Sequence, residues 1–112
     1  MSDSKLNKND EKLFRPIRVG NVELTHRIVL APLARLRTDE AHVTTDLVAE
    51  YYAQRASVPG TLLISEATAI APKAGGFPNA AGIWNEEQIL GWKKVRTTPA
   101  FSLLIEVNRT AN

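Results

Sequence analysis

The fold is decided by two stretches of this 112-residue chain, Ile28-Val-Leu-Ala-Pro-Leu-Ala-Arg35 and Glu50-Tyr-Tyr-Ala-Gln-Arg-Ala-Ser-Val-Pro-Gly-Thr-Leu-Leu-Ile-Ser-Glu-Ala-Thr68. Residues 27–31 form a β-branched and aliphatic run that is too short for a helix, and the proline after it removes a backbone donor. In the second stretch, a Pro-Gly turn signal precedes the apolar run 61–65. Runs without polar alternation are typical of strands covered on both faces. We therefore predict two buried strands.

A helix is predicted between the two strands, over residues 46–55. Thr45 is its expected N-cap, and Asp46 lies in the first turn, where a negative charge complements the helix dipole. Two apolar pairs four residues apart form its predicted apolar face, Leu47 with Tyr51 and Val48 with Tyr52. Two strands joined through a helix make a βαβ unit, so the strands should be parallel and the crossover right-handed.

Shorter elements are predicted on either side of this unit. The alternating runs 17–19 and 22–24 are separated by Gly20-Asn21, residues that can take the positive φ of a tight hairpin turn. Near the other end, residues 101–107 form an apolar run that predicts a third strand.

A second helix is indicated by its N-terminal capping pattern. Asn85 as N-cap and Gln88 three residues later have the spacing of a capping box. Lys93 and Lys94 provide positive charge for the last turn, and we expect the helix to end near Val95.

Composition bounds the class of protein. A formal net charge of +2 with scattered lysines and arginines gives no argument for a nucleic-acid partner. The absence of cysteine excludes disulfides, thiolate metal sites and a cysteine nucleophile.

Residues 1–12 are polar, so we expect a disordered tail, no membrane association and a cytoplasmic location. His26 and His42 have no partners at metal-ligand spacing, so no metal site is predicted.

Over residues 13–95 the chain resembles the Old Yellow Enzyme family of FMN-dependent ene-reductases, and its fungal members best. The resemblance rests on Leu13-Phe-Arg-Pro-Ile-Arg-Val-Gly20, on the two stretches quoted first with their Glu-Tyr-Tyr-x-Gln-Arg-Ala pattern, and on Gly82-Ile-Trp84. It implies an α/β fold: the N-terminal part of an FMN-binding (β/α)8 TIM barrel with a preceding β-hairpin, truncated after two to three strands. A divergent C-terminal tail would follow over residues 96–112.

The resemblance also implies ligands and site residues. FMN would be the cofactor, NADPH the hydride donor, and a small enone-type molecule the substrate. Pro32, Leu33 and Ala34 match family positions whose backbone lies against the flavin ring, and Ala34 replaces a threonine or cysteine common there. Ala67 matches a position whose backbone N–H faces the pyrimidine edge of the ring. Phe77 falls near an aromatic residue that lines the substrate channel.

Several of these residues have a purely structural alternative. From pattern alone, Pro32 is more often a strand terminator than a flavin contact, and Phe77 in a Gly/Pro loop is as often a surface anchor. Glu66 follows the second strand, where the catalytic groups of a barrel gather, but a carboxylate ion-paired with a rim arginine is the commoner case. Gly75-Gly76 lacks the spacing of a phosphate loop and is assigned to turn geometry.

Two functions stay open from the sequence. The first is the family activity, hydride transfer from NADPH through FMN to an activated C=C bond. The second is a non-catalytic fragment or truncated gene product that could pair with a complementary barrel portion. In the family, the groups that bind the substrate carbonyl, donate a proton and hold the flavin phosphate come from later strands, so no catalytic residue is assigned. The isolated chain is therefore expected to be inactive, and open strand edges favour the second function.

Overall fold

The computed structural model describes residues 11–75 and 77–97, and the backbone of two short strands beyond them. Residues 1–10 of the predicted tail and most of the stretch 96–112 therefore lie outside the described residues, whereas Lys12 already belongs to a 3-10 turn. The elements in chain order are a 3-10 turn at Lys12–Phe14, β1 (Ile17–Val19), β2 (Val22–Leu24), β3 (Val29–Leu30), α1 (Asp46–Arg55), β4 (Leu62–Ile64), β5 (Thr68–Ala69), a 3-10 turn at Pro72–Ala74, α2 (Glu86–Arg96), β6 (Leu104–Ile105) and β7 (Asn108–Arg109). None of the helices described is long and apolar enough to cross a membrane.

Strands β1 and β2 form the predicted hairpin. They pair antiparallel, with Ile17 opposite Leu24 and Val19 opposite Val22. Gly20 in the two-residue turn has a φ of 58°, a left-handed conformation that glycine adopts without steric cost. The turn therefore closes where the sequence predicts it.

A three-stranded parallel sheet forms the centre of the described part, in the order β3-β4-β6. Val29 pairs with Leu62 between β3 and β4, and Ile64 pairs with Ile105 between β4 and β6. The predicted βαβ unit is confirmed, because α1 connects two parallel neighbours. The third predicted strand is confirmed over Leu104–Ile105, where it joins the same sheet. Strands β5 and β7 form a separate parallel pair.

The expectation that both deciding strands are covered on both faces is right for one strand and wrong for the other. In β4, Leu63 is fully buried and Leu62 is 9% exposed. At β3, Ile28 is 49% exposed and Val29 is 37% exposed. The difference follows from packing on the faces: Leu63 of β4 belongs to the buried core, whereas Leu30 of β3 is only partly buried against that core and Val29 is not part of it.

One hydrophobic core joins the sheet to the two helices. Its buried members are Val48, Ala49, Tyr52, Ala56, Leu63, Ala81, Trp92 and Val95. The predicted apolar face of α1 is therefore only partly correct, since Leu47 is 54% exposed while Val48 and Tyr52 are buried. Helix α1 turns the Val48–Tyr52 side toward Leu63 and α2.

The two helices begin in different ways. Asn85 caps α2 as predicted: its Oδ1 accepts the Gln88 N–H at 2.9 Å, and Gln88 Oε1 accepts the Asn85 N–H at 3.2 Å. Thr45 occupies the N-cap position of α1, but its side chain makes no capping hydrogen bond. Its hydroxyl donates instead to the Arg37 carbonyl at 2.8 Å, which ties the start of α1 to the preceding loop.

Candidate functional site

An apolar cavity of 120 Å³ lies at the carboxyl end of the parallel strands. Its walls are mostly small side chains, contributed by Ala34, Leu36, Ala67, Thr68, Ala69, Ala74, Gly75, Phe77, Ala80 and Ala81. The cavity thus brings together three residues that the sequence singled out far apart in the chain: Ala34, Ala67 and Phe77. Pro32 and Leu33 are exposed and do not line it.

Backbone hydrogen bonds hold the wall that β5 contributes. The Ala69 N–H donates to the Ala81 carbonyl at 3.0 Å, and the Ile83 N–H donates to the Ala69 carbonyl at 2.8 Å. Ala67, which precedes this wall, is half-buried, and its own N–H takes part in no hydrogen bond with the part of the chain described. Among the described residues, an N–H donor without a partner therefore lies beside an apolar cavity.

A second set of bonds ties the two loops around the cavity to each other. Asn79 has a φ of 61°, and its Nδ2 donates to the Thr38 carbonyl at 2.7 Å. The Thr38 N–H in turn donates a longer hydrogen bond, of 3.4 Å, to the Asn79 carbonyl. Asparagine tolerates the left-handed region better than most residues. The loop after β3 and the loop before α2 are thereby fixed relative to each other.

Glu66, immediately before Ala67, is 2% exposed and bonded to Tyr52 of α1. The Tyr52 hydroxyl donates to Glu66 Oε1 at 3.2 Å and accepts the Glu66 N–H at 2.9 Å. Burial raises the pKa of Glu66, and the Tyr52 hydroxyl with Arg35 and Arg37 opposes that shift. Burial likewise raises the pKa of the Tyr52 hydroxyl.

The expected ion pair of Glu66 with a rim arginine is wrong for the described structure. No arginine there lies within ion-pair distance of its carboxylate, and the direct side-chain partner is a tyrosine 14 residues away. The Glu66 side chain joins α1 to the end of β4, so its position serves the scaffold that carries Ala67.

A wider, open pocket of 470 Å³ adjoins the apolar cavity and shares Gly75 and Phe77 with it. Glu40, His42, Pro78 and Asn79 complete its lining. Phe77 is 67% exposed and stands between the two spaces. The sequence alone gives no sign that His42 lines this pocket, because its position depends on a loop conformation that no local motif indicates.

Comparison with known proteins places this geometry in a family. The model of the NADH:flavin oxidoreductase / NADH oxidase family matches residues 12–98. The chain belongs to this family. Of its relatives, an NADP-dependent oxidoreductase, lnbE, from Aspergillus flavus is 55% identical over 84 residues, which are 75% of this chain and 22% of that protein. The chanoclavine-I aldehyde reductase fgaOx3 of Penicillium roqueforti is 56% identical over 84 residues, which are 75% of this chain and 23% of that protein.

Solved structures of the family show the same arrangement. Old Yellow Enzyme from Pichia sp. AKU4542 has a TM-score of 0.74 at 43% identity, over 80% of this chain and 23% of that one. The Old Yellow Enzyme homologue from Zymomonas mobilis has a TM-score of 0.77 at 42% identity, over 88% of this chain and 28% of that one. The described part is therefore the N-terminal portion of a (β/α)8 barrel with its preceding hairpin.

The comparisons confirm the resemblance to Old Yellow Enzymes, the similarity to fungal proteins, and FMN and NADPH as the cofactors of the family. The chain spans 22–23% of the length of the two curated relatives.

Proposed function

We propose that this chain supplies the FMN-facing N-terminal edge of an NADPH-dependent reductase that acts on the activated C=C bond of small enone-type substrates. The observation that carries the proposal is the single cavity that brings Ala34, Ala67 and Phe77 together where β3 and β4 end. In parallel barrels, ligand sites are built at the carboxyl ends of the strands.

The residues present fit a flat heteroaromatic ring. The wall consists mostly of short side chains, and the Ala67 N–H, which makes no hydrogen bond within the described part, can donate to a polar ring edge. In this proposal the backbone of Pro32, Leu33 and Ala34 lies along the ring. Ala34 has no hydroxyl, so its main-chain groups alone can make polar contacts. FMN, when bound, would supply the hydride-transfer chemistry.

Phe77 is proposed to contact the substrate. Its side chain is 67% exposed and borders both the apolar cavity and the wider pocket outside it. A substrate entering from the pocket would meet this aromatic face before it reaches the cavity. Apolar contact there would favour the unsaturated, uncharged part of the substrate.

The proposal is tested by equilibrium dialysis of the purified chain against FMN, followed by absorbance spectroscopy and by NADPH oxidation. We expect retained yellow absorbance without NADPH turnover, since no described residue is assigned to proton donation. Ala34→Leu should lower FMN retention because it fills the cavity. Leu90→Phe is the matched control, since it adds bulk at an exposed position of α2. Equal FMN retention by the wild type and by Ala34→Leu would contradict the proposal.

The exposed edge of β3 favours a second function, pairing with a complementary barrel portion. Val29 on β3 and Ile28 immediately before it present apolar surface, and β3 has a free backbone edge in the described part; such edges template strand addition. Mixing this chain with the remaining length of the Aspergillus flavus relative should restore NADPH oxidation, and Val29→Lys should prevent the restoration. Mixing that leaves NADPH oxidation at the level of the separate chains would refute this function.

A further inference from the structure

The backbone of His42 is held in an unusual conformation. Its φ is 62°, in the left-handed region that non-glycine residues adopt only when the surroundings impose it. Two hydrogen bonds impose it here: the His42 N–H donates to the Asp39 carbonyl at 3.0 Å, and the His42 carbonyl accepts the Gly82 N–H at 3.1 Å. The side chain is therefore presented from a fixed point of the loop.

The imidazole of His42 is fixed as well. Its Nδ1 lies 2.7 Å from the Ala80 carbonyl oxygen. A carbonyl oxygen only accepts hydrogen bonds, so Nδ1 carries the proton, and Nε2 of the neutral ring holds a lone pair. The ring also lies 5.5 Å from the Trp84 ring at an angle of 52°, which limits its rotation. Within the described chain, Nε2 makes no hydrogen bond.

The pocket that His42 lines also has a carboxylate among its lining residues. His42 and Glu40 line the same open pocket of 470 Å³, and no ion pair of Glu40 is found in the described part. A neutral Nε2 and a carboxylate both accept hydrogen bonds, and the carboxylate adds negative charge. A ligand group that has only donors and carries positive charge matches both. An alkylammonium group has these properties.

We infer that His42 Nε2 and Glu40 bind the ammonium group of an amine-bearing ligand, whose apolar part extends past Phe77 toward the Ala34–Ala67 cavity. This assigns an amine-bearing substrate class to the proposed reductase. It rests on the proposed function only for the apolar part of the ligand. The ammonium site itself requires no bound cofactor.

Nitrogen-15 NMR of the two imidazole rings tests this site directly, because the chain has only two histidines. The probe is benzylamine, titrated at about pH 8, where an ordinary imidazole is neutral. Hydrogen bonding to Nε2 should move the His42 Nε2 resonance. His26 is the internal control, since its Nδ1 accepts the Ile28 N–H at 3.1 Å and its Nε2 lies 2.8 Å from Thr61 Oγ1. Its resonances should not move.

Two carboxylate variants separate charge recognition from general binding. Glu40→Gln should weaken benzylamine binding by about 2- to 5-fold, the range of an exposed charge pair. It should leave the weaker binding of benzyl alcohol, which has no charge, unchanged. Glu23→Gln, an exposed position on β2, should change neither. Three results would overturn the inference. The resonances of both histidines could shift together, or neither could shift at millimolar benzylamine. Alternatively, Glu40→Gln and Glu23→Gln could have equal effects on benzylamine binding. Loss of FMN binding with the His42 shift intact would instead refute only the proposed function.

Discussion

The Tyr52 hydroxyl both donates to Glu66 Oε1, at 3.2 Å, and accepts the Glu66 N–H, at 2.9 Å. This pair joins the buried side of α1 to the residue that precedes Ala67. Both side chains are almost completely buried, so each supplies polar contacts that solvent cannot replace. The position of the Ala67 N–H therefore depends on a contact made by a helix on the outside of the sheet.

Tyr52→Phe should destabilise the fold by about 1–3 kcal/mol, because it leaves the Glu66 N–H and carboxylate without their tyrosine partner. Urea denaturation followed by circular dichroism measures this loss. Tyr51→Phe is the matched control: Tyr51 is half-buried, its hydroxyl makes no hydrogen bond in the described part, and the ring near Arg55 is retained. The control should change stability by less than about 0.5 kcal/mol. Equal losses in the two variants would contradict the assigned role of the Tyr52 hydroxyl.

Glu66 should make stability fall as pH rises. Burial raises its pKa in the folded state above the usual 4.5, so between the unfolded and folded pKa values the native state binds more protons. The stabilisation is present below the unfolded pKa and is lost as pH rises through the folded pKa. Glu66→Gln should remove this component and retain an oxygen for the Tyr52 hydroxyl. The measurement is the unfolding free energy of both proteins across this window. A difference between them that does not change with pH would refute the prediction.

The capping box of α2 should be measurable by two substitutions of one residue. Asn85→Ala removes the acceptor for the Gln88 N–H, and it should cost about 1 kcal/mol of unfolding free energy. Asn85→Ser keeps a capping oxygen and should cost only a few tenths of that amount. If serine and alanine destabilise the chain equally, the side-chain cap does not stabilise α2.

Gly91 should not tolerate alanine, although it lies inside a helix. Replacing a mid-helix glycine ordinarily adds about 1 kcal/mol of stability. Here an added Cβ would collide with Thr44 Oγ1 and also crowd Val43, so Gly91→Ala should instead destabilise by about 1–3 kcal/mol. Thr44→Ala removes a buried hydroxyl that has no partner in the described structure and should relieve the collision. A thermal-melt double-mutant cycle measures this coupling, and additive effects would contradict it.

Elements defined by local sequence were predictable here. The bounds of α1, the hairpin turn at Gly20 and the Asn85–Gln88 capping box follow from residues within a few positions of each other. Features that depend on distant partners were not. The exposure of β3 depends on which distant residues pack against its faces, and the Thr45 hydroxyl bonds a carbonyl eight residues away rather than the helix end.

The candidate site divides in the same way. The resemblance to a family singled out Ala34, Ala67 and Phe77, which the structure brings to one cavity. The Tyr52 partner of Glu66 and the orientation of His42 arise from tertiary contacts that have no local pattern. His42 in particular has its backbone bonded by Gly82 and its ring bonded by Ala80, and both lie about forty residues further along the chain.

An NMR titration of the backbone amides with FMN is the sharpest test of whether the carboxyl end of β4 faces the flavin. Ala67 and Thr61 lie beyond opposite ends of β4 and form a matched pair. We expect FMN to move the amide resonances of Ala67 and Ala34 and to leave the Thr61 amide resonance unchanged. Shifts centred on Thr61 or on the β1–β2 hairpin, or no concentration-dependent shift at Ala67, would contradict this expectation.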